Sequence, residues 1–136
     1  MPSMGRSSPG EADKPLTPVE LELMQIVWRL GEVSVADVLA ALPPERKLAY
    51  TSVSTVLRIL EQKGVVGSRK VGRGHVYSAL LAREDYEARS VRHLVETVFA
   101  GTPSALVERL VEAVPLSPEE VEQLRKLLGQ KKGEPS

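Results

Sequence analysis

Residues 48–64, LAYTSVSTVLRILEQKG, constrain this chain more than any other stretch. Val53, Val56, Leu57 and Leu60 recur at i, i+3, i+4 and i+7, the stripe of an α-helix and not the alternation of a strand. The other face, near the start, carries Tyr50, Thr51, Ser52, Ser54 and Thr55: hydroxyls and one aromatic, with no carboxylate. Lys63 and Gly64 close the segment, a cation near the negative end of the helix dipole and then the residue that commonly follows a helix. Such a helix fits a DNA major groove, because Ser and Thr bond phosphates or base edges and their carbon atoms touch thymine methyls. The same pattern also suits an ordinary core helix with a solvated face. Its neighbours shift the balance.

Upstream, Thr17-Pro18-Val19-Glu20 opens a first helix: Thr caps, Pro takes the first helical position and Glu completes a capping box. Leu21, Met24, Val27 and Trp28 follow at helical spacing, Leu23, Ile26 and Leu30 widen the stripe, and Gly31 ends it. Trp28, the single Trp, is assigned to the core. Ser34-Val35-Ala36-Asp37 starts a second helix that buries Val35, Val38, Leu39 and Leu42 and stops at Pro43-Pro44. Three helices with a short gap between the second and third match the helix-turn-helix plan. Beyond Gly64 two short β-prone runs flank Gly72-Arg73-Gly74, which predicts a hairpin with Arg73 at its tip and Arg69, Lys70 and His75 on its flanks. Three helices and a basic hairpin make a winged helix, whose wing reaches along the phosphates or into the minor groove.

The charge distribution points the same way. Net charge is zero, so the chain is no general polycation. Yet residues 46–75 hold seven basic side chains (Arg46, Lys47, Arg58, Lys63, Arg69, Lys70, Arg73) against Glu61 alone, whereas residues 84–130 hold nine acidic and five basic ones. A basic middle suits phosphates, and an acidic end suits protein or water. With no Cys, thiolate metal sites, disulfides and a Cys nucleophile are excluded. His75 and His93 are the only histidines and lie on different predicted elements, too few ligands for a metal. Phosphate-loop, nucleophile-elbow and dinucleotide motifs are absent, so neither an enzyme nor a cofactor is expected. No apolar run is long enough for a membrane span and the N-terminus lacks a signal core, so a cytoplasmic protein without membrane insertion is expected.

From residue 83 the pattern is helical. Val91, Leu94, Val95, Val98 and Phe99 form one stripe, ended by Gly101; Leu106, Val107, Leu110 and Val111 form a second; Val121, Leu124, Leu127 and Leu128 form a third, after the box Ser117-Pro118-Glu119-Glu120. Three such helices hold too little chain for a good core of their own, so their stripes are expected to pair with a second copy. The expected organisation is therefore mainly α with a small β-hairpin. It comprises a tail over 1–15, a winged helix-turn-helix domain over 16–81, a three-helix dimerisation segment over 82–130 and a polar tail over 131–136.

Taken in order, the run 17–24 (TPVELELM) with Val27-Trp28, then 48–57 (LAYTSVSTVL) with 60–64 (LEQKG), then Gly72-Arg73 with Val76-Tyr77 resembles the penicillinase-repressor family of BlaI/MecI/CopY type. The likeness extends over residues 17–128. It implies a homodimeric bacterial transcriptional repressor whose winged helices each read half of a palindromic DNA operator, controlling β-lactam-resistance or similar stress genes. Thr51, Ser52 and Thr55 would face the groove and Arg73 would sit in the wing. Arg46, Lys47, Tyr50, Arg69 and Lys70 complete the expected DNA-binding set, with Val91, Leu94, Val95, Val98, Phe99, Leu106, Leu110, Val121, Leu124 and Leu127 as the expected dimer residues. In β-lactam-responsive members a membrane sensor protease, or an effector downstream of it, triggers cleavage at an Asn-Phe bond. The matching position here is Arg109-Leu110, which departs from that pattern. Copper-responsive members use Cys-x-Cys pairs, which this chain lacks. The rival reading is a winged-helix module that binds an acidic protein through its basic hairpin.

Overall fold

A computed structural model describes residues 15–131. The chain runs α1 (Pro18–Leu30), β1 (Glu32–Val33), α2 (Val35–Ala41), α3 (Tyr50–Gln62), β2 (Val66–Val71) and β3 (Gly74–Ala79), followed by α4 (Arg83–Val98), α5 (Pro103–Ala113) and α6 (Pro118–Lys131). This is the expected mainly α architecture with a winged helix-turn-helix. The tails expected at 1–15 and 131–136 lie outside the described residues, apart from Pro15 and Lys131.

The helix starts follow from local chemistry. Thr17 Oγ1 accepts from the Glu20 amide at 3.2 Å, while the Thr17 amide donates to Glu20 Oε1 at 2.9 Å. Ser34 with Asp37, and Ser117 with Glu120, repeat this reciprocal box. α3 ends in a Schellman turn. Gly64 has φ +83°, its amide donates to the Glu61 carbonyl, and the Val65 amide donates to the Leu60 carbonyl. A side chain with a Cβ would be strained at that φ, so Lys63-Gly64 sets where α3 stops and the chain turns toward the hairpin.

The sheet has strand order β1-β3-β2, antiparallel throughout. β2 and β3 form the expected hairpin, Val71 opposite Gly74 across a two-residue Gly72-Arg73 turn in which Gly72 takes φ +60°. Positive φ at the first central residue alone is the requirement of a type II′ turn, and Gly meets it. β1 was not expected from the sequence. It is only two residues between a glycine turn and a helix cap, too short to show a period of two, and it exists because Val33 pairs with Tyr77 and Glu32 with Ser78.

One core sits beneath these elements. Leu23, Met24 and Val27 of α1, Val33, Val38 of α2, Val53, Leu57 and Leu60 of α3, and Val66 of β2 are completely or almost completely buried. Trp28 packs against this core only partly buried; its indole N–H donates to the Leu81 carbonyl at 2.8 Å and its ring lies 5.8 Å from that of Tyr86. The Tyr86 hydroxyl in turn accepts from the Leu16 amide. These contacts fasten the first turns of α4 to α1, and the first compact unit runs to His93, with a second from Leu94. In the second unit Val95 is the one buried hydrophobic among the described residues.

Candidate DNA-binding surface

Burial of Val53, Leu57 and Leu60 turns the opposite side of α3 outward. Tyr50, Thr51, Ser52, Thr55 and Arg58 are all exposed, and the first turn holds no acidic residue. Ala49 occupies the N-cap without a side-chain hydrogen bond, so the first amides of α3 carry no internal side-chain acceptor. Short hydroxyls at a helix start, beside uncapped amides, are groups of the kind that can donate to phosphate or base-edge acceptors.

The hairpin adds a second wall. Tyr50, Ser54 and Arg58, four residues apart along α3, line an open cleft with Arg73, Gly74, His75 and Tyr77 of the wing and with Ser34 and Ala36 at the start of α2. Of the expected residues, the structure thus brings Tyr50 and Arg73 together. Ser54, Arg58 and His75 belong to the same cleft and were not in the expected set. The repeat of four from Tyr50 was visible in the sequence and could have found Ser54 and Arg58.

Strand alternation separates two side chains that are neighbours in sequence. Lys70 pairs with His75, and Arg69 with Val76. Successive side chains point to opposite faces, so Lys70 shares the face of His75 and Tyr77, while Arg69 stands on the other face with Glu32. There Arg69 Nε and its terminal nitrogen each donate to a Glu32 carboxylate oxygen at 2.9 Å. The hydrogen bond from Arg69 lowers the Glu32 pKa, and the same bond raises that of Arg69. Arg46, in the α2–α3 loop, is held likewise: its Nε lies 2.9 and 3.1 Å from the Glu22 oxygens, and its pKa is raised by that hydrogen bond. Lys63 donates to both oxygens of buried Glu20 at 2.9 Å. Among the described residues, Lys47, Arg58, Lys70 and Arg73 have no such partner.

The expected dimer residues divide by burial. Val95 is buried and Phe99, Leu106 and Leu124 are partly covered, whereas Val91, Leu94, Val98, Leu110, Val121 and Leu127 are exposed. In the second unit Val107, Leu110 and Val111 of α5 face Val121, Leu124 and Leu128 of α6 across an open apolar trough. Arg109-Leu110 lies inside α5, with Arg109 ion-paired to Glu112. The described residues contain no cluster of three or more His, Asp or Glu side chains fit for a metal, and no helix long and apolar enough to cross a membrane.

The chain has relatives among known proteins. It is 25% identical over 116 residues to the methicillin resistance regulatory protein MecI of Mammaliicoccus sciuri, spanning 85% of this chain and 94% of that one. It is 32% identical over 114 residues to the transcriptional regulator BlaI of Mycobacterium tuberculosis, spanning 82% and 81%. The solution structure of the DNA-binding domain of the repressor BlaI aligns with 52% of this chain and 87% of its own, at 27% identity and a TM-score of 0.47. The penicillinase repressor family model matches residues 16–130, and the chain belongs to that family of DNA-binding transcriptional repressors.

Proposed function

We propose that the chain is a cytoplasmic homodimeric repressor that occupies a palindromic operator and excludes polymerase, controlling β-lactam-resistance or similar stress genes. Residues 16–81 read the DNA and residues 82–130 join the two copies. The observation that carries this reading is the exposed, carboxylate-free start of α3 beside a cleft holding Arg58, Arg73 and His75, in a chain of the penicillinase repressor family. Thr51, Ser52 and Thr55 discriminate bases, each good contact contributing about 1–3 kcal/mol. Lys47, Lys70 and Arg73, with Arg58 in the cleft, neutralise phosphates. Weakening the dimer releases the operator.

The test is salt-titrated binding of the purified protein to its own upstream DNA and to a scrambled duplex. A preference for the upstream DNA, two chains per site and a steep fall of affinity with salt are expected. Equal, weak binding to both duplexes would instead favour a protein-binding winged helix. Arg73→Ala should flatten the plot of log affinity against log salt by about 0.9 for each protomer. An unchanged slope would remove Arg73 from the phosphate contacts.

Replacing Thr51 and Thr55 together by Ala should act differently from losing Arg73. It should reduce the preference for operator over scrambled DNA by about tenfold or more while leaving the salt slope in place. Competition titrations against both duplexes measure this, and a uniform loss on both would assign the hydroxyls to the backbone.

A further inference from the structure

Seven cations lie between residues 46 and 75, and the fold divides them. Lys63 is bound to Glu20, a buried group tied also to the Thr17 cap. Arg46 and Arg69 are different, because both keep substantial access to solvent while held at 2.9 Å by Glu22 of α1 and Glu32 of β1. Neither acid lies on α3 or the wing hairpin. Each reaches a cation from the scaffold, Glu32 doing so across the width of β3.

We infer that Glu22 and Glu32 are affinity-setting residues: internal counter-anions that hold Arg46 and Arg69 away from DNA phosphates and so fix how tightly, and how salt-dependently, the protein binds. The inference rests on the DNA-binding reading above. A carboxylate and a phosphate oxygen compete for the same guanidinium donors, and Arg69 already gives two of its donors to Glu32 in the two-pronged arrangement it would use on a phosphate. A cation neutralised within the protein releases no counterion from DNA when the complex forms. Among the described residues of this basic stretch, the four unpaired cations Lys47, Arg58, Lys70 and Arg73 therefore set the ceiling on its phosphate count. For two chains that ceiling corresponds to a salt slope of about −7, against about −13 if all seven cations took part.

The arrangement has a regulatory consequence. A repressor must leave its operator, and a surface with every cation free would bind all DNA strongly. Glu22 and Glu32 lower the nonspecific part without altering the residues that read bases. The conservative replacement Glu→Gln keeps the shape and removes the competing charge.

The experiment is a double-mutant cycle on the full-length protein, reading affinity and salt slope on operator and scrambled DNA. Glu32→Gln should tighten binding to both duplexes by several-fold to tenfold and steepen the slope by up to about 0.9 per chain, and Glu22→Gln should do the same. Arg69→Met alone should leave the wild-type slope unchanged, and the gain from Glu32→Gln should vanish in the Arg69→Met background. Glu22 and Arg46 form the second cycle, and thermal unfolding of each variant checks that the fold persists. A gain that survives in the arginine-less background would mark a diffuse charge effect and overturn the inference. Looser binding by Glu32→Gln would overturn it also, by showing that the acid aims Arg69 at the phosphates. If the wild-type protein shows no salt-dependent binding to either duplex, the DNA-binding reading itself falls first and takes this inference with it.

Discussion

Val111→Glu combined with Leu128→Glu is expected to convert the protein to a monomer and to weaken operator binding by about 10²–10⁴-fold. Both side chains are more than half exposed in the single chain, so charging them costs its own fold little. Both also border the trough between α5 and α6. In the proposed dimer those positions are covered by the second copy, and a carboxylate there loses its water without gaining a partner. Two weakly binding winged helices then meet DNA separately, and the advantage of linked half-sites disappears. Sedimentation and operator titration read the two effects together. A variant that stays dimeric would place the interface elsewhere; one that becomes monomeric yet binds as tightly would show that a single winged helix suffices.

Lys63→Met should cost about 2–4 kcal/mol of folding stability at neutral pH, because it leaves the buried Glu20 carboxylate without its cation and with only the Thr17 amide as donor. Burial by itself raises the Glu20 pKa, but hydrogen bonds from Lys63 and from the Thr17 amide outweigh it, and the net shift is downward. A carboxyl whose pKa is lower in the folded chain stabilises that chain fully above its ordinary value of 4.5, and the contribution fades as pH falls through the folded value. Urea unfolding at pH 7 and again below pH 4 should therefore show a wide gap between wild type and Lys63→Met that narrows in acid. A gap independent of pH would mean that Lys63 supports the fold by packing and not by its charge. The position matters for function as well, since this pair joins the start of α1 to the end of α3 and Gly64 turns the chain from there into the wing.

Much of the molecule was legible in its residues. Helix starts were readable because a capping box is a local device: Thr17 and Glu20, Ser34 and Asp37, and Ser117 and Glu120 each satisfy the other's backbone within three residues. The stripe Val53, Leu57, Leu60 fixed which side of α3 is buried, and therefore which hydroxyls face outward. Gly72 between β-prone runs placed the wing, since a tight hairpin needs a residue that accepts positive φ.

What stayed hidden depended on partners distant in the chain. β1 is defined by Val33 meeting Tyr77, more than forty residues away, and a two-residue strand has no periodicity to betray it. Arg46 and Arg69 read in sequence as equals of Lys47, Lys70 and Arg73, and Lys63 as a cation at a helix end. Only the packing of α1 against the α2–α3 loop and α3, and of β1 beside β3, brings Glu22, Glu20 and Glu32 to three of them. The helices, the hairpin turn, the exposed face of α3 and the family are written in the order of the residues, whereas the choice of free cations was made by long-range packing. The difference is one of range: caps, stripes and turns are settled within a few residues, but an ion pair is settled by whichever opposite charge the folded backbone brings within about 4 Å.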